Sequence, residues 1–273
     1  MTFSPALPLP GYAGWTFLKR TLPAQNLAMQ ASPVMKRDEA YFREKIGSIN
    51  SAEDLVKDRR LLNVVLGAYG LDGDINNRFF IRKVLEEGTL KTGTLANRLA
   101  DKQYQKLSAT FGFGDFATPS TKISTFADKI LVAYQARQFE VAVGAQNPDM
   151  RLALNLQREL PALAAKAGST ETAKWFTVMG NAGLRRVFEK ALGLPAGLGA
   201  LDLDQQLGTF KEKARAQLGS DAIAQFSDPA AVDGLLRRFL LRSEADSFAQ
   251  SGSGNSVLQL MQQAVSASRN RLA

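Results

Sequence analysis

Apolar side chains recur along this chain at helical spacing, with glycines, prolines and small polar residues between the runs. Tyr41, Phe42 and Ile46 begin the pattern after Asp38, and Gly47 ends it. Ser51, followed by Glu53 and Asp54, has the chemistry of a helix start, where a side-chain oxygen accepts from free amides and acidic residues complement the helix dipole. Residues 58–69 place Leu61, Leu62, Val64, Val65 and Ala68 on one broad face. Gly70 stops that helix, because glycine takes the left-handed cap without steric cost. Asp74 heads a helix over about 75–87, with Phe79, Phe80, Val84 and Leu85 as its buried stripe. Thr94 caps a short helix through Leu95 and Leu99. Asp101 starts another through Tyr104, Leu107 and Phe111, which Gly112-Phe113-Gly114 breaks.

Pro119 and Ser120 open the longest segment, to about residue 143, with Ile123, Phe126, Ile130, Leu131, Tyr134 and Phe139 inside. Asn147-Pro148 has the pattern of a cap and a first helical residue. Leu152, Leu154, Leu156 and Leu160 follow before Pro161. Residues 170–179 form the next helix, with Trp175, Phe176 and Met179 buried. Leu184, Val187, Phe188 and Ala191 form another, ended by Gly193-Leu194-Pro195. Residues 204–218 carry Leu207, Phe210 and Ala214, and Asp228-Pro229 begins the last helix of the body, with Val232, Leu235, Leu236, Phe239 and Leu240. No stretch alternates with period two for long enough to make a strand. The expected fold is all-α, a multihelical array of about ten longer and shorter helices.

Two stretches echo each other. Asp58, Leu61, Val64, Ala68, Gly70 and Leu71 match Asn181, Leu184, Val187, Ala191, Gly193 and Leu194 at a constant step of 123 residues. An internal duplication, with two related helical units in one core, and a chance recurrence of a glycine-capped helix are both open readings.

The ends differ from the body. Pro5, Pro8, Pro10, Pro23 and Pro33 predict that residues 1–35 form a proline-broken arm. The arm carries one amphipathic patch that includes Trp15, Phe17 and Leu18, which either packs on the body or meets a partner. The helical domain is expected over 36–241. Residues 242–273 then supply a linker, with Ser251-Gly252-Ser253-Gly254-Asn255, and an amphipathic helix with Val257, Leu258, Met261 and Val265 along one side. A helix this short is marginal in water by itself, so these four positions and the arm patch are the candidate partner contacts.

Composition narrows the chemistry more than it suggests any. The 273 residues include no cysteine and no histidine. Disulfides, thiol nucleophiles, Ser-His-Asp and Cys-His catalysis and ordinary zinc or copper sites are therefore unavailable to the chain itself. What remains is carboxylate, lysine or tyrosine chemistry, or magnesium and calcium held by oxygens. The motif search adds no site. Gly112-Phe113-Gly114 lacks the preceding strand and third glycine of a dinucleotide loop. Asp72-Gly73-Asp74 lacks the glycine and glutamate of a calcium loop. Glu86, Glu87, Asp202 and Asp204 read as surface residues and caps. Neither cofactor nor metal nor small-molecule substrate is expected. The net charge is +8, but the basic residues come as scattered pairs such as Arg59-Arg60 and Arg237-Arg238, which makes nucleic acid a weakly supported partner. No apolar run reaches the length of a membrane span, and the start of the chain has no secretory pattern, so the body is expected to fold in the cytoplasm.

Several blocks in order resemble a known bacterial family. They are Arg37-Asp38-Glu39-Ala40-Tyr41-Phe42-Arg43-Glu44-Lys45-Ile46, Asp58-Arg59-Arg60-Leu61-Leu62, Ala68-Tyr69-Gly70-Leu71, Phe80-Ile81-Arg82-Lys83-Val84-Leu85-Glu86, Leu95-Ala96-Asn97-Arg98-Leu99-Ala100-Asp101-Lys102 and Arg151-Leu152-Ala153-Leu154-Asn155-Leu156-Gln157-Arg158. The family is the domain of unknown function numbered 1217, and the resemblance covers roughly residues 36–241. It implies a multihelical array without a known activity. Its members, mostly alphaproteobacterial, are often encoded among flagellar genes. The resemblance therefore implies a flagellar structural or assembly role through a protein partner, a flagellar component or a second copy of the chain, with export that reads no cleavable signal as one route. It carries no catalytic motif onto this sequence. The expectation is a non-enzymatic protein, with a basic binding module for an acidic partner as the alternative and a carboxylate- or lysine-based enzyme as the remote one.

Overall fold

A computed structural model of the chain describes residues 3–250. Val257, Leu258, Met261 and Val265, with the C-terminal helix expected around them, lie outside the described residues. Among those residues every regular element is helical: thirteen α-helices and five short 3-10 turns, as the all-α reading requires.

The N-terminal segment differs from its expected form. Helix α1 spans Gly11–Gln30 with Pro23 inside it, and α2 spans Pro33–Lys45. A proline in a helix interior removes one amide donor and crowds the preceding turn, a cost of about 3 kcal/mol. Burial of Trp15, Leu18 and Met29 works against that cost. Pro33 costs nothing of the kind, because a first helical residue has no bond to lose. The Ser32 hydroxyl accepts from the Met35 amide at 3.4 Å to cap α2. Before α1, the Ala6 amide donates to Gln25 Oε1 at 2.8 Å and Gln25 Nε2 donates to the Ala6 carbonyl at 3.2 Å. The segment read as an arm is therefore mostly helix, with its apolar side packed.

The described chain divides into two compact units, one of residues 3–7 and 18–151, the other of 8–17 and 152–250. The first holds α2, α3 (Ala52–Lys57), α4 (Arg59–Tyr69), α5 (Arg78–Glu87), α6 (Leu95–Arg98), α7 (Gln103–Phe111) and α8 (Phe126–Gln146). Its centre is α4, buried from Leu61 to Ala68 apart from Asn63, which runs along α8 and the buried side chains Ile130, Leu131, Tyr134 and Phe139. Gly67 permits that approach, since a Cβ there would stand 2.8 Å from the Tyr134 ring. The Phe111 and Phe126 rings meet edge to face at 5.0 Å.

The second unit holds α10 (Glu171–Gly180), α11 (Ala182–Leu192), α12 (Leu203–Leu218) and α13 (Pro229–Gln250). Helix α9 (Pro148–Ala164) passes from one unit to the other along the chain. Helix α11 packs chiefly on α13. An aromatic cluster anchors the core: Trp175 lies 5.4 Å from Phe188 and 5.8 Å from Phe210, and Phe188 lies 5.6 Å from Phe226. The Trp175 indole N–H donates to the Asp221 carbonyl at 2.7 Å.

Several apolar positions fall elsewhere than their spacing predicts. Residues 72–74 form a 3-10 turn, so α5 starts after Asn77 and not after Asp74. Ile81, Val84 and Leu85 make its buried side, and Phe79 is left 72% exposed. Helix α8 starts at Phe126, which leaves Ile123 in the preceding turn and exposed. In α10 Val178 takes the core position and Phe176 is half-buried; Leu207 of α12 is half-buried too. Helix α9 runs through Pro161. Residues 242–250, expected as linker, continue α13.

The echo at 123 residues has a structural counterpart. Asp58 caps α4 by accepting from the Leu61 amide at 3.0 Å, and Asn181 caps α11 by accepting from the Leu184 amide at 3.0 Å. Gly70 and Gly193 end the two helices at φ +70° and +60°. The following amides, Leu71 and Leu194, donate to Leu66 and Glu189 at 2.9 and 2.8 Å. In both units an arginine of the main partner helix lies over the capping glycine: Arg137 of α8 over Gly70, Arg242 of α13 over Gly193. A cation there complements the negative end of the helix dipole.

Candidate functional site

Trp15 and Leu18, read as candidate contacts, are completely buried, and Phe17 between them is half-buried. Positions 15 and 18 lie three apart on one side of α1, so both turn inward once the helix forms. The start of α1 is held by α13: the Tyr12 hydroxyl donates to Asp233 at 3.2 Å, and the Arg237 guanidinium lies 5.7 Å from the Tyr12 ring. No surface is left at Trp15 or Leu18 for a partner in this conformation.

Other large apolar side chains stand outside. In the first unit Leu27 of α1 is 66% exposed, Val132 of α8 67% and Phe79 of α5 72%. Arg82 lies 5.5 Å from the Phe79 ring, and Arg78 and Lys83 on the same helix are exposed. Nearby, Arg59 donates to Asn76 at 3.2 Å. The spacing assigns Phe79 to the core, but Ile81, Val84 and Leu85 occupy the i, i+3 and i+4 positions of the buried side, and Phe79 falls off that line. The signal available in the sequence was Ile81, which completes the i, i+3, i+4 pattern with Val84 and Leu85 that Phe79 does not.

The buried and half-buried ionisable groups named next are committed to structure. The buried Lys174 pairs with Glu171 at 3.1 Å and donates to the Ala164 carbonyl at 2.8 Å. Glu140 and Arg137, both deeply placed, lie 3.6 Å apart. Burial pushes the Tyr69 phenol up to about 12. Burial and the Asp38 carboxylate raise Tyr134, while burial and Asp74 raise Tyr104. None of these three phenols is placed to exchange a proton near neutrality. Asp72 accepts from Gln138 of α8 at 3.3 Å and Asp74 from Asn77 at 2.7 Å, so both carboxylates of the calcium-like stretch are engaged by protein donors. Among the described residues no group of three or more acidic side chains is arranged to hold a metal ion.

The Gly112-Phe113-Gly114 break has a structural task. Gly112, at φ +68°, ends α7. Asp115 then receives the Thr89 amide at 2.7 Å, the Leu90 amide at 3.0 Å and the Thr89 hydroxyl at 2.9 Å. A Cβ on Gly114 would overlap the Glu86 carbonyl and stand 2.5 Å from the Gly88 nitrogen, so only glycine lets the two loops meet. Burial opposes the charged form of Asp115, but the two amides and the hydroxyl outweigh it and hold the carboxyl below its ordinary range.

No helix among the described residues is long and apolar enough to cross a membrane. The fold is similar to the X-ray crystal structure of protein AGR_C_984 from Agrobacterium tumefaciens. The two agree with a TM-score of 0.71 and 26% sequence identity, over 88% of this chain and 98% of that one. No curated protein matches the sequence. The family described as proteins of unknown function (DUF1217) matches residues 68–232, which covers more than half of the sequence and runs from the end of α4 into α13. The chain belongs to this family.

Proposed function

We propose that this protein is a non-catalytic helical scaffold that binds other proteins through apolar side chains on its helix surfaces, in the structure or assembly of the flagellum. The observation that carries the reading is the exposure of Leu27, Phe79 and Val132, each by well over half, on helices whose opposite sides are buried. Large apolar groups cost free energy in water, and a partner that covers them removes that cost. The absence of histidine and cysteine, and the use of acidic side chains as caps and loop ties, support a binding role over a catalytic one. The flagellar setting rests on the gene neighbourhood implied by the family resemblance.

A deletion strain tests it. Loss of swimming, or malformed filaments, is the expected outcome; normal motility with normal filaments removes the flagellar assignment. Complementation with Phe79→Asp and Val132→Asp then tests the surfaces. These variants are expected to fold like the parent and to reproduce the defect.

A second reading, a module for an acidic partner or nucleic acid, is favoured by the +8 charge and by Phe79 standing beside Arg78, Arg82 and Lys83. Such binding would weaken steeply with added salt, because each neutralised phosphate releases counterions. Absence of DNA or RNA binding at low salt excludes it.

A further inference from the structure

Two exposed surfaces of the chain have opposite chemistry. The first is the outer side of α5. Arg78 and Arg82 stand one turn apart there, and Phe79 and Lys83 repeat that spacing beside them. The Phe79 ring is exposed, with the Arg82 guanidinium near it. Arg82 lies 3.5 Å from Glu86, and Lys83 lies 3.9 Å from Glu87. Among the described residues Arg78 forms no ion pair, and neither does Arg59, which donates to Asn76 just before the helix. The surface is an aromatic ring set among cations, two of which no carboxylate neutralises.

The second surface is the start of α12. Residues 201–204 read Leu-Asp-Leu-Asp, and all four are exposed. Asp202 caps the helix by accepting from the Gln205 amide at 2.8 Å. Capping accounts for Asp202 but not for the leucines on either side of it, Leu201 at 44% and Leu203 at 56% exposure. Neither Asp202 nor Asp204 forms an ion pair among the described residues. Here two apolar side chains alternate with two unneutralised carboxylates.

We infer that the start of α12 in one copy of the chain docks on the outer side of α5 in a second copy. Leu201 and Leu203 cover the Phe79 ring, and the two carboxylates face Arg59 and Arg78. Opposite charge around an apolar centre fixes the register of such a contact and excludes like-charged partners. Nucleic acid would satisfy the cations of α5 and leave the leucines in water, whereas a second copy covers both surfaces. The two surfaces differ, so the contact is head-to-tail, and each pair of chains retains one unused half of each kind. The inference rests on the scaffold reading of Phe79 as a contact side chain and names the partner that this side chain meets.

Sedimentation of the full chain at low salt tests it. The parent is expected to exceed the monomer mass as concentration rises, and to return toward it as salt screens the contact. Phe79→Ser and Leu203→Ser alter exposed side chains, so both variants are expected to fold like the parent, and each alone is expected to lose association. Mixed in equal amounts, they leave one intact surface on each chain. The mixture is expected to form pairs of twice the monomer mass and nothing larger. A monomeric parent, which would leave the cations of α5 to another acidic partner such as nucleic acid, would overturn the inference. Association that survives either substitution, or a mixture that stays monomeric, would overturn it too. The scaffold reading fails on a different result, normal motility of the strain that carries Val132→Asp, a position outside both surfaces.

Discussion

At the scale of single residues, backbone conformation and buried hydrogen bonds make the sharpest demands. Gly114 has no room for a Cβ, because the atoms it would meet belong to the backbone at Glu86 and Gly88, which cannot step aside like a side chain. Gly47 has open space. Gly114→Ala is expected to lower stability by about 2 kcal/mol or more, through displacement of the loop that Asp115 ties. Gly47→Ala is expected to be neutral or stabilising by up to about 1 kcal/mol, through the unfolded chain. Urea denaturation of the two variants separates them. Asp115 makes a second prediction. Its folded-state pKa lies below the unfolded value, so its contribution is present above the unfolded pKa and is lost as pH falls through the folded one. The stability difference between the parent and Asp115→Asn should therefore shrink as the pH is lowered below about 4. A difference constant with pH would show that the ionised carboxylate is not what the loop uses.

At the scale of elements, helix ends were easier to read than helix faces. Ser51, Asn147 and Gly70 were legible in sequence because capping depends on the chemistry of a few consecutive residues. Each acts as expected: Ser51 and Asp54 form a reciprocal capping box, and Asn147 accepts from the Met150 amide at 3.0 Å. Alanine at Asp58 or at Asn181 should cost about 1 kcal/mol each, measured by thermal or urea unfolding. Asp58 should cost more, since it also receives the Tyr41 hydroxyl at 2.7 Å. Helix α1 shows the converse. Proline rules described local cost correctly but not the core that compensates for it. Trp15→Ala is expected to cost about 3–5 kcal/mol as a core truncation. Phe79→Ala, although it removes an equally apolar group, should stay within about 0.5 kcal/mol. Near-neutrality of Trp15→Ala would return residues 1–35 to the status of an arm.

At the scale of the whole molecule, sequence determined the helical class, the order of most helices, and the chemistry that lies out of reach of a chain without histidine or cysteine. These follow from local periodicity, from capping and from composition, none of which needs a distant residue. The repeat at 123 was also visible, as a string of matching residue types. Tertiary structure decided what that string could not. It gave both copies the same cap hydrogen bonds and an arginine over each terminal glycine, where the arginines, Arg137 and Arg242, do not share the 123-residue step. It divided the described chain into two compact units that each draw on the N-terminal segment, and it turned Trp15 and Leu18 inward while leaving Phe79 outside. The physical reason is the same in each case. Whether an apolar side chain is core or surface depends on which residues, tens of positions away, arrive to cover it.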